Sequence, residues 1–154
     1  MPYAETSTGR LYFESYDFGG AWQHRTPILL HHGVGFTADF WDGWMPALLA
    51  RHPVVRFDMR GYGRSAVPES GYPWSFESFT DDIRAVLAAA GYDRCHYVGE
   101  SIGGTIGLYV GSHAPELVTS LVCASTAYRG DYIQSLDDWQ PAFETGAAPP
   151  GHVS

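Results

Sequence analysis

Five consecutive residues, Gly99-Glu100-Ser101-Ile102-Gly103, have the types and spacing for nucleophilic chemistry. They stand between a short apolar run, 95–98, and a stretch of helical character, 102–113. Strand, sharp turn and helix together place one serine hydroxyl at the apex of the turn, the arrangement of a nucleophile elbow. Such a turn leaves almost no room for a side chain two positions before or after the serine, and glycine stands at both. The start of the helix brings unpaired N–H groups and the positive end of the peptide dipoles beside the Ser101 oxygen, a setting suited to a developing oxyanion. In a chain with 18 glycines the spacing alone is weak, and the strand-to-helix context supplies the weight. The alternative is a glycine-rich turn in front of a tightly packed helix.

Two further segments carry candidate chemistry. His32-Gly33-Val34-Gly35 follows a continuous apolar run, and its glycines let the backbone turn and present N–H groups to a ligand. Phe36 and Phe40 lie nearest this loop and are the expected pocket-lining aromatics. The rest of 38–50, with Trp41, Trp44, Leu48 and Leu49 at helical spacing, is expected to pack as core. The other segment is Asp58-Met59-Arg60-Gly61-Tyr62-Gly63-Arg64-Ser65. Asp58 reads either as a catalytic acid or as a structural carboxylate held by Arg60, Arg64 or loop N–H groups. The two nearby arginines favour the structural reading.

The elements that must position these groups alternate. Residues 3–16 predict a β-hairpin and 27–32 a strand; 38–50 a helix and 53–58 a strand. A helix then begins at Ser75, with Ser78 or the 80–82 polar group at its start, and stops at Gly91. The elbow strand and helix follow, Pro115 ends that helix, and 117–124 predicts one more buried strand. This order calls for an α/β fold with a doubly wound, mostly parallel sheet. Ligands in such sheets bind outside the carboxyl ends of the strands, where the 32–35 loop, Asp58, Ser101 and Ser125-Thr126 all fall. Trp139 and Phe143 are placed to open a further helix. Residues 1–144 read as one domain and 145–154 as a disordered tail.

A net charge of −8 argues against nucleic acid or an anionic membrane as partner. The N-terminus lacks a basic start and an apolar core, and no apolar stretch is long enough to span a bilayer, so a cytoplasmic protein is expected. Cys95 and Cys123 lie in apolar runs without metal-site spacing and are expected as buried reduced thiols. No metal cluster, phosphate-cradling loop or dinucleotide fingerprint is present, so no metal and no cofactor is expected.

In their order along the chain, His32-Gly33-Val34-Gly35, the Asp58 to Ser65 loop and Gly99-Glu100-Ser101-Ile102-Gly103-Gly104 resemble the α/β-hydrolase fold family over roughly residues 10–130. The resemblance implies that Ser101 is the nucleophile and that the Val34 and Ile102 N–H groups form an oxyanion hole, with His32, Gly33, Gly35, Gly99 and Gly103 shaping the loops around them. It implies a small-molecule substrate of ester type: a carboxylic ester, lactone or thioester. Leu121-Val122-Cys123-Ala124-Ser125-Thr126-Ala127 is similar to the enol-lactonase and small-esterase branch. The same scaffold also hosts haloperoxidase, C–C hydrolase and thioesterase chemistry, and a non-catalytic binding module is the reading from another class.

The sequence departs from the family pattern after Thr126. Family members carry a cap and two more strands there, with the triad acid usually after the seventh strand and the histidine after the eighth. Beyond Ser101 this sequence holds only His113, at the far end of the elbow helix, and His152. Asp131 lies where some branches place the acid. The expectation is therefore an N-terminal portion of the core, lacking the cap, the last two strands and the family's histidine. The strand at 117–124 would then form an exposed apolar edge, open to self-association or a partner.

Overall fold

The computed structural model describes residues 3–19 and 25–126. Their strands form a six-stranded sheet. The hairpin comprises β1 (Tyr3–Thr6) and β2 (Gly9–Tyr16), followed by β3 (Ile28–His31), β4 (Val54–Phe57), β5 (Cys95–Glu100) and β6 (Val118–Ala124). The spatial order is β1-β2-β4-β3-β5-β6. The β4, β3, β5 and β6 strands run parallel, and the hairpin joins antiparallel through β2 against β4. The chain starts in the middle at β3, moves to β4, then crosses to the other side for β5 and β6. The strand order therefore reverses next to β3, which puts its carboxyl end at the crevice where such sheets bind ligands.

Burial on both faces explains the apolar run of β3 and the largely apolar β4, every residue of which is buried, Arg56 included through its ion pair with Glu14. One face sends Leu29, Val55, Phe57 and Tyr97 against Ile83, Val86 and Leu87 of α2 (Phe76–Ala89) and Ile106 and Val110 of α3 (Ile102–His113). The other sends Ile28, Leu30 and Val54 against Trp41 and Met45. Ser75 caps α2 reciprocally with Ser78, each side chain accepting from the other's backbone N–H.

Two expectations change. The segment 38–50 is not one α-helix: Ala38–Trp44 is a 3-10 helix and only Met45–Leu49 (α1) is α-helical. Pro46 lies in the first turn of α1, where a missing N–H costs nothing and a fresh helix starts more readily than an old one continues. Of the two aromatics expected as core here, Trp41 is buried and Trp44 remains exposed. The second change concerns β6, which is not buried. It is the outer strand among the described residues, α3 covers only one of its faces, and all its residues are half-buried or exposed. Cys123 is accordingly exposed, whereas Cys95, one strand in from that edge on β5, is buried and its thiol is pushed up to about 12 by that burial.

No helix among the described residues is long and apolar enough to cross a membrane. Asp131, the Trp139–Phe143 region, the 145–154 tail and His152 lie outside the described residues.

Candidate active site

Ser101 sits between β5 and α3 with φ 53° and ψ −121°, a left-handed backbone rare for a residue with a side chain. The turn is held from three sides. The Ser101 N–H donates to the Ala124 carbonyl at 2.9 Å, and the Ser101 carbonyl accepts from Gly104 and Thr105 at 3.0 and 3.1 Å. The Thr126 hydroxyl donates to the same Ser101 carbonyl at 3.4 Å. A Cβ on Gly99 would stand 2.5 Å from the Gly103 and Gly104 backbone, and one on Gly103 would stand 2.5 Å from the His31 carbonyl oxygen. Both glycines are therefore fixed by backbone packed against backbone. Ile102 opens α3, so its N–H is among the four that helix geometry leaves without an intrahelical acceptor.

The loop 32–35 lies against this turn. A Cβ on Gly33 would stand 2.9 Å from Ser101 Cβ, and Gly35 takes φ 81°, where glycine is favoured. His32 anchors the loop from beneath. Its Nε2 accepts the Met59 N–H at 2.9 Å, so the proton is on Nδ1, which donates to the Gly33 carbonyl at 2.8 Å. Burial lowers its pKa, with the Gly33 carbonyl and Asp58 pulling the other way. Both ring nitrogens are thus committed to backbone, which removes His32 as a general base. His31 is buried too. The Tyr97 hydroxyl donates to the Gly103 carbonyl at 3.0 Å and accepts from His31 Nδ1. Burial, and then the neighbouring His32, hold His31 far below the ordinary histidine value and so neutral. Among the described residues no hydrogen bond joins the Ser101 hydroxyl to a histidine. His113 is stacked on Tyr109 at 3.9 Å, in the last turn of α3 and far from the elbow.

Asp58 takes the structural role. Its carboxylate accepts the Ala38 N–H at 2.7 Å, the Arg64 N–H at 2.8 Å and Arg64 Nε at 3.0 Å. Burial alone would raise its pKa, but the Arg64 guanidinium and the two N–H groups outweigh burial and hold it below the usual carboxylate range. Gly63, at φ 53°, is required here because a Cβ would stand 2.3 Å from Asp58 Oδ2. Arg60 turns away and pairs with Asp82. The loop after β4 is in this way tied to the start of the 3-10 helix.

The Phe36 and Phe40 rings meet at 4.6 Å between centroids and both are part-exposed, as is Val34. They form an apolar rim beginning at the 32–35 loop. The structure therefore brings together Ser101, Ile102, Gly99 and Gly103 with His32, Gly33, Val34 and Gly35, and extends that group to Phe36 and Phe40. The sequence placed Ser125-Thr126 at this edge without giving either a role, and it did not single out Tyr97. Tyr97 bridges β3 and α3 through its hydroxyl, Thr126 packs on Gly104 and braces the elbow, and Ser125 takes φ 51° directly after β6. The position of Tyr97, two residues before Gly99 on the face towards the helices, is the signal that could have found it.

The family model described as "alpha/beta hydrolase fold" matches residues 26–148. The chain belongs to the alpha/beta hydrolase fold family. A protein of Azorhizobium caulinodans named "Putative carbamate hydrolase RutD" is 40% identical over 131 residues, 85% of this chain and 46% of that protein. Among solved structures, a hydrolase from Pseudomonas aeruginosa PA01 matches with TM-score 0.78 at 29% identity, covering 92% of this chain and 52% of that one. The enol-lactonase from Burkholderia xenovorans LB400 matches with TM-score 0.68 at 26% identity, covering 76% of this chain and 44% of that one. The hydrolase-family chain spans about half the length of the curated relatives it matches.

Proposed function

We propose that the chain carries the nucleophile half of a serine hydrolase acting on small acyl substrates of ester type, carboxylic esters or lactones. The observation that carries this reading is Ser101 itself: a serine held at φ 53° between a strand and a helix, with a glycine loop pressed against it. A strained backbone at the mouth of a crevice points to function, because packing alone would favour glycine there.

In this reading Ser101 Oγ attacks the substrate carbonyl carbon while a base removes the hydroxyl proton. The carbonyl oxygen takes up negative charge and receives the Val34 and Ile102 N–H groups, with the N-terminal end of α3 adding its dipole. Collapse of the tetrahedral species expels the alcohol and leaves an acyl-serine, which water then hydrolyses. Phe36 and Phe40 hold the apolar part of the substrate. Since His32 is committed to backbone and His31 to Tyr97, the base comes from outside the described residues, and Asp131 is assigned as the acid that would orient it. A carbamate offers the same attackable carbonyl, and the name of the Azorhizobium relative makes it the second substrate class to test.

The test is hydrolysis of p-nitrophenyl acetate, a lactone and an alkyl carbamate by the full chain beside Ser101→Ala. Acyl turnover is expected to be slow without the family's histidine, and the substitution should abolish what there is. Turnover that survives it would remove Ser101 as nucleophile and with it this reading.

A further inference from the structure

The first turn of α3 is poorly built to hold itself. Its N-cap residue is Ser101, whose side chain makes no capping hydrogen bond. A hydroxyl kept free for chemistry cannot also satisfy the start of the helix. Gly103, Gly104 and Gly107 follow close behind, and only proline is a poorer helix former than glycine. Left to local forces this end would fray, and the elbow with it.

The support comes from outside the helix. Tyr97, on β5, is wholly buried beneath α3. A Cβ on Gly107 would stand 2.5 Å from Tyr97 Cε1, so the ring is a floor on which the helix rests. At the tip of the ring the hydroxyl lies 3.0 Å from the Gly103 carbonyl oxygen. That oxygen has no proton to give, so the hydroxyl donates. The Tyr97 oxygen is left to accept, and His31 Nδ1 is the group that meets it. His31 Nε2 is sealed from solvent without a partner among the described residues, so the hydrogen bond to Tyr97 is the one the ring makes. Burial, first of all, holds the phenol well above its ordinary value and the imidazole well below its own, so both stay neutral near neutral pH.

We propose that Tyr97 and His31 are positioning residues that brace the turn a missing cap leaves loose. The line of donors from His31 through the Tyr97 hydroxyl to the Gly103 carbonyl fixes the first turn of α3, and with it the apex at Ser101 and the Ile102 N–H. His31 also directly precedes the 32–35 loop, so the brace refers both halves of the site to one strand. Its purpose rests on the hydrolase reading, whereas the brace itself does not.

The first test needs no variant. In nitrogen NMR of the full chain near neutral pH, His31 should carry its proton on Nδ1 and leave Nε2 bare. A proton on Nε2 overturns the proposal, because Tyr97 would then give its hydrogen to His31 instead of Gly103. The second test is amide exchange in Tyr97→Phe, which keeps the ring and removes the hydroxyl. The Ser101, Gly104 and Thr105 amides, which are bonded across the elbow, should exchange about tenfold or more faster, beyond any change in the α2 amides. No acceleration, or an acceleration shared equally with α2, overturns the proposal. His31→Asn sets a side-chain N–H close to where Nδ1 stood, and it should keep the slow elbow exchange that His31→Leu loses. Equal elbow rates in those two variants overturn the part assigned to His31.

The hydrolase reading fails separately. Local loosening in Tyr97→Phe with no phosphonyl adduct on Ser101 in the native chain keeps the brace and loses the enzyme. An adduct in the native chain with unchanged elbow exchange in Tyr97→Phe does the reverse.

Discussion

A non-glycine residue held in a left-handed backbone costs of the order of 1 kcal/mol or more, and at Ser101 that strain serves the exposure of one hydroxyl. Ser101→Gly should therefore raise stability by about 1 kcal/mol while abolishing any reaction at this position, measured by thermal unfolding and turnover. The glycines around it separate into two kinds. Gly103→Ala drives a Cβ into the His31 and His32 carbonyls and should cost about 2–3 kcal/mol, because backbone cannot step aside. Gly35→Ala meets open space and should cost only the conformational penalty, about 1 kcal/mol. Denaturant unfolding of the pair measures the difference. Asp58 gives the clearest pH signature. Its folded pKa lies below the ordinary carboxylate value, so its stabilising contribution is complete above about pH 4 and fades as pH falls below that. Asp58→Asn should lower stability at pH 7 by about 2 kcal/mol and flatten the loss on acidification, seen in unfolding curves at pH 7 and below pH 4. Asp82, raised by burial despite Arg60, works in the opposite sense and keeps the net acid limb shallow.

At the level of elements, the period of the apolar pattern and the punctuation by Ser, Gly and Pro foretold most of what forms. The helix from Ser75 and its reciprocal Ser78 cap were legible because capping is local chemistry. Ser75→Ala should cost about 1 kcal/mol in thermal unfolding. The segment 38–50 was not legible as a 3-10 helix followed by a single α turn and a half. Its aromatics satisfy helical spacing either way, and Trp41 packing on β3 and β4 decides the outcome. The exposure of β6 and Cys123 was also hidden, since an apolar run says that a strand can be buried but not that a second layer arrives to bury it. With Val122 exposed on an outer strand, that edge offers backbone groups and apolar surface for self-association. Val122→Lys should lower the apparent mass in concentration-dependent light scattering if association uses this edge.

Seen as a whole, the molecule gathers its chemistry by topology. Loops that lie tens of residues apart in sequence end up at the carboxyl ends of β3, β4, β5 and β6, and hydrogen bonds between those loops lock them together: His32 to Met59, Asp58 to Ala38, Thr126 to Ser101. The sequence disclosed the glycine loop, the elbow and the family because each depends on short-range backbone demands that only certain residues meet. The resemblance implied a loop-shaping place for His32, but not the tautomers and partners of His31 and His32, which are set by tertiary contacts. The central claim is that Ser101 is a nucleophile in a site assembled this way. Its most direct test is exposure of the full chain to a fluorophosphonate, followed by peptide mapping by mass spectrometry. The account predicts a single phosphonyl adduct on Ser101 that is absent from Ser101→Ala. An unlabelled Ser101, or an adduct elsewhere that persists in Ser101→Ala, would contradict it.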